Sequence, residues 1–423
     1  MSSIKRLTGH EILDSRGRPT VQATCELVSG ARGTVSIPSG ASTGRAEASE
    51  LRDGDPQRYR GLGCRKAAGH ISGTLHAALS QRSFAGQSEL DQAMIALDGS
   101  PGKARLGANA LLAVSLAFAR AVAAENGIEL YQYFSSLMQN TRPTLPRLTI
   151  NLFSGGKHAG GQVPIQDVLL VPLSARTIDE ALAMTFEVYQ KAAEQVYKKY
   201  GMRALTADEG GLAPAFPSGE AMLEDAVAAI EEAGLTPGRD AALAVDVAAS
   251  HFYRTGAYHL GAQTLDSAEM ITRLLTWLAH YPLLSIEDGL AEDDWASWPE
   301  LRRRVNGRAL IVGDDLLCTN PERIRRAVEA GAANTLLLKV NQIGTLSEAA
   351  QAYREARDAG WSITVSARSG ETEDNWLADL AVGWAGDQIK VGSITQSERL
   401  AKYNRLLVIE STTDLSVKPW PGM

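Results

Sequence analysis

The C-terminal two thirds of the chain repeats one pattern of apolar and polar positions. A short apolar run ends at a charged or polar residue and is followed by an amphipathic segment with helical periodicity. The runs start roughly 20 to 40 residues apart, which is the length of one strand, one helix and two loops. Repeated units of this kind predict a parallel sheet covered by helices, and their number favours a closed barrel over an open sheet. The runs are residues 243–245, 282–286, 310–313, 335–338, 362–365 and 388–389.

The N-terminal third predicts a smaller domain of mixed structure. Residues 21–27 and 33–37 predict two strands separated by a turn at Ser29 and Gly30. The alanine- and leucine-rich segment 108–124 predicts a long helix that is buried on most sides. Two prolines within residues 141–146 disfavour a helix and indicate a linker to the larger C-terminal domain.

Composition and charge narrow the possible classes of protein. With 44% hydrophobic and 22% charged residues among 423, a largely disordered chain is excluded. The net charge of −7 argues against nucleic acid or an anionic membrane as the main partner, because both require a basic face. The uncharged stretch 107–119 is expected to be too short to span a bilayer. The three cysteines, Cys25, Cys64 and Cys318, have no metal-ligand spacing and fit a reducing cytoplasm.

The first charged residue after each apolar run is a candidate for the site. In a parallel barrel the strands end at one face, so these side chains should meet there. Three carboxylates with no histidine or cysteine nearby form a hard oxygen site that suits Mg²⁺ or Mn²⁺. The alternative is a set of solvated loop starts, but three carboxylates in register after successive strands favour the metal site. In chain order the candidates are Asp246, Glu287, Asp314, Lys339, Arg368 and Lys390.

The cationic members of this set suggest a base and an anion site. Lys339 follows three leucines, so its amine is expected to be buried near Lys390. Burial and a neighbouring cation both favour a neutral lysine that can act as a general base. The alternative is a lysine paired with one of the metal-site carboxylates. Arg368 and Ser369 offer a guanidinium and a hydroxyl to a phosphate or carboxylate.

Two glycine-rich segments carry further candidates. Asp208 and Glu209 precede two glycines, and a carboxyl close to other acids can keep a proton for general-acid work. The same segment could equally be an acidic turn. His158 lies within a Gly-Gly-Lys-His-Ala-Gly loop that could close over a site, although most isolated loop histidines have no chemical role.

Eight segments taken together resemble the enolase (phosphopyruvate hydratase) family, collinearly from about residue 4 to residue 411. The resemblance implies a small α+β capping domain over residues 1–135 and a modified eight-fold α/β barrel over residues 136–423. It also implies a cytoplasmic homodimer or higher homo-oligomer. The segments are ILDSRGRPT (12–20), PSGASTG (38–44), LRDGD (51–55), DEGG (208–211), SIEDGL (285–290), VGDD (312–315), KVNQIG (339–344) and RSGETED (368–374).

The family dehydrates 2-phosphoglycerate to phosphoenolpyruvate with two Mg²⁺ ions per site. By motif position, the resemblance implies that Asp246, Glu287 and Asp314 hold the first ion. Ser42, on a mobile loop, would meet the second ion, which arrives with the substrate phosphate.

The resemblance also implies roles for the other candidates. Lys339 would remove the proton beside the substrate carboxylate, Lys390 would bind that carboxylate, and Glu209 would protonate the departing hydroxyl. Arg368 and Ser369 would hold the phosphate. His158 would close the site from its loop, and Asp167 would stand on the leaving-group side.

Three positions depart from the family pattern on the leaving-group and phosphate side. Ala367 replaces a histidine, Asp167 a glutamate and Ser154 an asparagine. A working enolase is the first hypothesis. The second is an enolase-like lyase for a related acid, such as a phosphonate analogue of 2-phosphoglycerate that gives carboxyphosphonoenolpyruvate. The third is a non-catalytic scaffold, which the intact metal ligands and base disfavour.

Overall fold

A computed structural model describes residues 1–41, 44–138, 141–201 and 205–422. In the N-terminal part, the four described strands form an antiparallel sheet, and helices cover one side of it. The elements of this part are β1 (Ser2–Leu13), β2 (Pro19–Leu27), β3 (Arg32–Ser36), α1 (Arg65–His70), α2 (His76–Leu79), β4 (Ser83–Phe84), α3 (Gln87–Asp98), α4 (Ala108–Glu125) and α5 (Leu130–Ser136). The strand order is β3-β2-β1-β4. The two strands and the long helix predicted from the sequence are confirmed.

Helix α4 forms the centre of the N-terminal core and packs on β2 and β3. The approach is so close that a Cβ on Gly33 would lie 2.2 Å from the Ala117 carbonyl oxygen, so only glycine fits there. The uncharged stretch 107–119, which is too short to span a membrane, lies almost entirely within this longer helix. By length and composition α4 could span one, as no other helix in the described ranges could, but 83% of it is buried inside the protein. The packing of α4 in the core therefore explains its apolar composition.

Eight strands of the described chain close into a barrel, in the order β11-β12-β13-β14-β15-β5-β6-β7. All six strands predicted from the repeating pattern are confirmed. The elements of this part are β5 (Arg147–Ser154), β6 (Asp167–Pro172), α6 (Ile178–Tyr200), α7 (Gly219–Glu232), β7 (Ala241–Asp246), β8 (Tyr253–Arg254), β9 (Ala257–Leu260), β10 (Gln263–Leu265), α8 (Ser267–His280), β11 (Leu283–Glu287), α9 (Trp298–Val305), β12 (Leu310–Gly313), α10 (Pro321–Ala330), β13 (Thr335–Leu338), α11 (Leu346–Asp358), β14 (Ser362–Ser366), α12 (Trp376–Gly383), β15 (Gln388–Lys390) and α13 (Ser397–Ser411).

Strand β6 runs antiparallel to both of its neighbours in the barrel, β5 and β7. The prediction of a parallel sheet is therefore wrong at this strand. A parallel crossover usually needs a helix, whereas residues 155–166 between β5 and β6 contain only one 3₁₀ turn, Gly156–Ala159. Because β6 is reversed, its first residue, Asp167, lies opposite the last residue of β7, Asp246, at the mouth of the barrel.

The N-terminal part contacts the barrel mouth and the barrel helices. Ser39 exchanges two backbone hydrogen bonds with Gly370, which follows β14, at 2.8 and 2.9 Å. Helix α5 packs on α12, and its Tyr131 N–H donates to Asp379 at 3.2 Å. The boundary between residues 135 and 136 stays a prediction.

Candidate active site

The three carboxylates predicted to bind metal lie together at the barrel mouth and are buried. Asp246 and Glu287 are the last residues of β7 and β11 and face each other in the ladder, and Asp314 follows β12. Lys390 Nζ donates to Asp246 Oδ2 and to both carboxylate oxygens of Glu287 at 2.8 Å. Lys390, Asp246 and Glu287 therefore meet at one point, whereas Asp314 is contacted by Lys339.

Lys339 is also buried and forms an ion pair with Asp314 Oδ2. Burial alone would lower the pKa of Lys339, but the nearby carboxylates, Asp314 and then Glu287, together raise it above the usual value. The structure therefore shows the paired alternative, and the raised pKa favours the protonated rather than the neutral lysine. The physical reason is that the carboxylate lies nearer to the amine than the second lysine does.

The donor set fits a divalent cation. Burial and Asp246 raise the pKa of Glu287 well above its usual value, because the carboxylates crowd one another in a buried space. Burial alone would raise the pKa of Asp246 too, but Lys390 lowers it to about 2. Hard carboxylate oxygens that repel one another are the ligands that Mg²⁺ binds. Asp288 and Asp315 lie beside Asp314, within reach of a shared ion, but both oxygens of Asp288 already accept backbone N–H bonds.

A second buried group, beside the carboxylates, contains His158, Asp167 and Glu209. His158 Nδ1 lies 2.9 Å from Asp167 Oδ2, and His158 Nε2 lies 3.7 Å from Glu209 Oε1. The other Asp167 oxygen accepts from the Ser154 hydroxyl at 2.6 Å. The other Glu209 oxygen accepts from the Asn151 amide at 2.9 Å. The imidazole is thus held between two carboxylates.

The electrostatics of this group place the proton on the histidine side. Burial alone would lower the pKa of His158, but Asp167 and Glu209 raise it to about 9. Burial alone would raise the pKa of Glu209, but His158 and other cations lower it below the usual value. Burial raises the pKa of Asp167, although His158 opposes this. These shifts favour a Glu209 carboxylate that faces a protonated imidazole.

Arg368, which the sequence predicts to bind an anion, is buried and held by several hydrogen bonds. Its two terminal nitrogens donate to the two carboxylate oxygens of Glu47, each at 3.1 Å, and Nη1 also donates to Asn341 at 3.0 Å. The Ser369 hydroxyl accepts from Arg16 at 3.1 Å and from the Ala41 N–H at 2.8 Å. Ser42, predicted to meet the second metal ion, lies outside the described residues.

The arrangement agrees with the match to known sequence families. Residues 142–418 match the family described as enolase, C-terminal TIM barrel domain. Residues 4–134 match the family described as enolase, N-terminal domain. The chain belongs to the enolase family. It is therefore an enolase-superfamily lyase by family, and the fold expected from the resemblance is confirmed.

Two of the three departures from the enolase pattern are in direct contact with each other. Ser154 and Asp167 are directly opposite in the β5–β6 ladder, and their side chains are hydrogen-bonded. Both side chains of this cross-strand pair are therefore shorter than the asparagine and glutamate that the resemblance implies. Ala367 is buried, and its N–H donates to the Lys390 carbonyl at 2.8 Å. Ala367 therefore pairs with the backbone of Lys390, at the position where the resemblance to the enolase family implies a histidine.

Several residues of the site were not predicted from the sequence of this enolase-family chain. Glu47 and Arg16 come from the N-terminal part, and no local pattern links them to Arg368 or Ser369. Asn151 Oδ1 and Gln166 Oε1 are buried and have no hydrogen-bond partner among the described residues, although their amide nitrogens bind Glu209 and Asp246. The reversal of β6 places Gln166 at the mouth, so recognising the hairpin would have found it.

Proposed function

We propose that this chain is a Mg²⁺-dependent lyase that dehydrates 2-phospho-D-glycerate to phosphoenolpyruvate. The observation that carries the proposal is the convergence of two buried lysines with three buried carboxylates at one barrel mouth. Removal of a proton beside a carboxylate creates a doubly charged enolate, which requires concentrated positive charge in a site closed to water.

Asp246, Glu287 and Asp314 would hold the first Mg²⁺. When bound, this ion supplies positive charge to the substrate carboxylate and to the enolate. Lys390 is proposed to bind the same carboxylate, and its contacts with Asp246 and Glu287 support this role. Ser42 is proposed to contact a second Mg²⁺ that arrives with the substrate.

Lys339 is proposed as the base. It holds a proton in its ion pair with Asp314, so this pair must open before the amine can accept the proton beside the substrate carboxylate. On the opposite side of the mouth, Glu209 is proposed to protonate the departing hydroxyl. His158 and Asp167 support this side of the site.

Arg368 and Ser369 are proposed to bind the phosphate. Arg399 supports this position, because its guanidinium donates to the carbonyl oxygens of Arg368 and Ser369 at 2.7 Å. This contact fixes the backbone that carries the two anion-binding side chains. We also propose that the protein is cytoplasmic and forms a homodimer or a higher homo-oligomer.

The three departures favour one second candidate. Ala367, Asp167 and Ser154 each remove atoms on the leaving-group side, whereas the metal ligands and the base are unchanged. A shorter carboxylate leaves a gap of about 1.5 Å, and misplacement on that scale can reduce a rate a hundredfold. This pattern supports a lyase for a bulkier relative, such as a phosphonate analogue of 2-phosphoglycerate. A non-catalytic scaffold is disfavoured. If catalysis had been lost, substitutions should also have accumulated at the predicted metal ligands, and they have not.

Formation of phosphoenolpyruvate from 2-phospho-D-glycerate by the purified protein tests the proposal, with Mg²⁺ and again with a chelator. We expect Mg²⁺-dependent turnover of about 1–10³ s⁻¹. Turnover thousands of times lower, in protein that still binds Mg²⁺, would favour the phosphonate analogue, which is assayed in parallel. Equal rates with and without the chelator would contradict the proposed chemistry.

A further inference from the structure

The row Ser154–Asp167–His158–Glu209 runs along one side of the barrel mouth, and its geometry defines a direction for proton transfer. The Ser154 hydroxyl donates to Asp167 Oδ1, so only Oδ2 of that carboxyl faces the imidazole. His158 Nδ1 is 2.9 Å from Oδ2. When the imidazole is protonated, as its pKa of about 9 indicates at neutral pH, Nδ1–H donates to Asp167 Oδ2 and Nε2 carries a hydrogen that faces Glu209.

The backbone keeps His158 and Glu209 in this relationship. The His158 carbonyl accepts from the N–H of Asp208, the residue before Glu209, at 3.4 Å. On the other side, Asp167 is fixed in the ladder opposite Ser154 and Asp246. Backbone contacts therefore join the loop after β5, the start of β6 and the acidic Asp208–Glu209 loop around these side chains.

The burial of this row leaves few routes for the proton. The side chain of Asp167 is 0% exposed, that of His158 5% and that of Glu209 8%. Glu209 Oε2 is occupied by the Asn151 amide, so only Oε1 is available both to the imidazole and to a leaving group. The distance of 3.7 Å between Nε2 and Oε1 is slightly longer than a hydrogen bond and closes with a small movement of either side chain.

We propose that His158, oriented by Asp167 and Ser154, stores the proton that Glu209 delivers to the leaving group. As the bond from carbon to the departing hydroxyl breaks, the Glu209 O–H proton goes to that oxygen and water leaves. Glu209 has first taken this proton from His158 Nε2. The imidazole is left neutral, with its Nδ1 hydrogen on Asp167, and regains a proton from solvent. Asp167 and Ser154 are positioning residues in this scheme.

This inference rests on the proposed function. It assigns which residue on the leaving-group side, Glu209 or His158, carries the proton before the reaction. A carboxyl group that is ionised at rest cannot donate a proton by itself. Glu209 is the member of the row whose pKa lies below its usual value, whereas His158 has a pKa of about 9 and holds a proton at neutral pH. Glu209 therefore needs a neighbouring residue that protonates it before each elimination.

The test separates the two halves of the reaction. Exchange of the α-proton with D₂O reports the base, and product formation reports the leaving group, with Mg²⁺ and either 2-phospho-D-glycerate or its phosphonate analogue, whichever is converted. We expect His158→Gln to keep exchange within a few-fold and to lose elimination by about 10²–10⁴. His280→Gln, at the exposed end of α8, is the matched control and should change neither rate.

A second set of variants distinguishes proton storage from a structural role. Added imidazoles should restore elimination to His158→Ala, with rates that depend on the pKa of the imidazole used. Asp167→Asn removes the charge that supports the imidazolium, so the loss of activity at alkaline pH should move to lower pH. Ser154→Ala removes a hydrogen bond but no charge. The pH at which activity is lost on the alkaline side should therefore shift much less than in Asp167→Asn.

The outcomes distinguish this inference from the proposed function. Equal loss of exchange and elimination in His158→Gln, or a change in KM alone without rescue by imidazoles, would overturn the proton store and leave the proposed function standing. Absence of both exchange and turnover in the wild-type protein with either acid would overturn the proposed function, and the inference with it.

Discussion

Glu47 of the N-terminal part holds both terminal nitrogens of Arg368 through parallel hydrogen bonds of 3.1 Å. The side chains are 10% and 3% exposed, so this pair is shielded from water. A phosphate that binds Arg368 must share the guanidinium with Glu47 or replace it. The contact therefore links the N-terminal part to the phosphate end of the site.

The paired geometry at Arg368 predicts the effect of a lysine there. Arg368→Lys keeps the charge but loses the planar pair of donors, so we expect KM for the phosphorylated substrate to rise about tenfold or more. Steady-state kinetics measures this. Arg303→Lys is the control, because that arginine is 71% exposed and pairs only with Glu300 in the described structure. An unchanged KM would place the phosphate elsewhere.

Metal affinity should depend on Glu287. Glu287→Gln removes one charge from a buried ligand set, so we expect Mg²⁺ binding, measured by calorimetry, to weaken about tenfold or more. Glu300→Gln, at a position 45% exposed, is the matched control. Wild-type affinity in Glu287→Gln would remove this residue from the proposed ligand set.

Replacement of Lys339 should abolish the first half of the reaction. Because the amine is the proposed base, Lys339→Ala should exchange the substrate's α-proton with D₂O at least about a hundred times more slowly. Lys5→Ala, at a position 57% exposed on β1, should behave like the wild type. Exchange by Lys339→Ala at the wild-type rate would contradict the assignment.

Glu209 should act later than Lys339. Glu209→Gln keeps the shape of the side chain and its contact with Asn151, but it cannot deliver a proton. We expect proton exchange to persist while elimination is lost by about 10²–10⁴. Equal loss of both would show that the two residues do not act on separate steps.

Asp91 predicts a pH dependence of stability away from the site. It is buried in α3, and its Oδ2 accepts from the N–H and hydroxyl of Ser347 in α11 at 2.9 and 2.6 Å. Burial raises the pKa of Asp91 from its usual 3.8 to about 6, even though Ser347 opposes this. The folded state therefore binds a proton more tightly than the unfolded chain does. The free energy of unfolding should fall as pH rises from about 4 to about 6, by on the order of 3 kcal/mol.

Denaturant unfolding at several pH values measures this contribution of Asp91. Asp91→Asn cannot ionise, so it should flatten the change in the free energy of unfolding between pH 4 and pH 7. Asp414→Asn, at an exposed position, should leave the change as it is in the wild type. The same slope in Asp91→Asn as in the wild type would show that Asp91 is not the group responsible.

The barrel and its ring of charged residues could be predicted because each follows a local pattern. Asp246, Glu287 and Asp314 come directly after apolar strands, and parallel strands end at one face. Asp167 is the first residue of its strand, so the same rule could not find its place until the reversal of β6 was known. Its role was available only from the family resemblance. Glu47 was missed because it is more than three hundred residues away from Arg368 in the chain.

The ionisation states could not be predicted either. Lys339 and Lys390 were expected to repel each other, but each is nearer to a carboxylate than to the other amine. Which interaction prevails depends on distances below 4 Å, and strand periodicity does not determine distances of that scale.

The reversal of β6 also has a consequence for how this mouth can change. The segment 155–166 leaves the barrel at Ser154 and re-enters at Asp167, on the same rim, and is closed by a 2.8 Å hydrogen bond from Gly155 N–H to the Gln166 carbonyl. It never passes to the far end of the barrel, unlike a parallel crossover. Insertions, deletions or replacements within residues 155–166 should therefore leave the register of β5 and β6 unchanged.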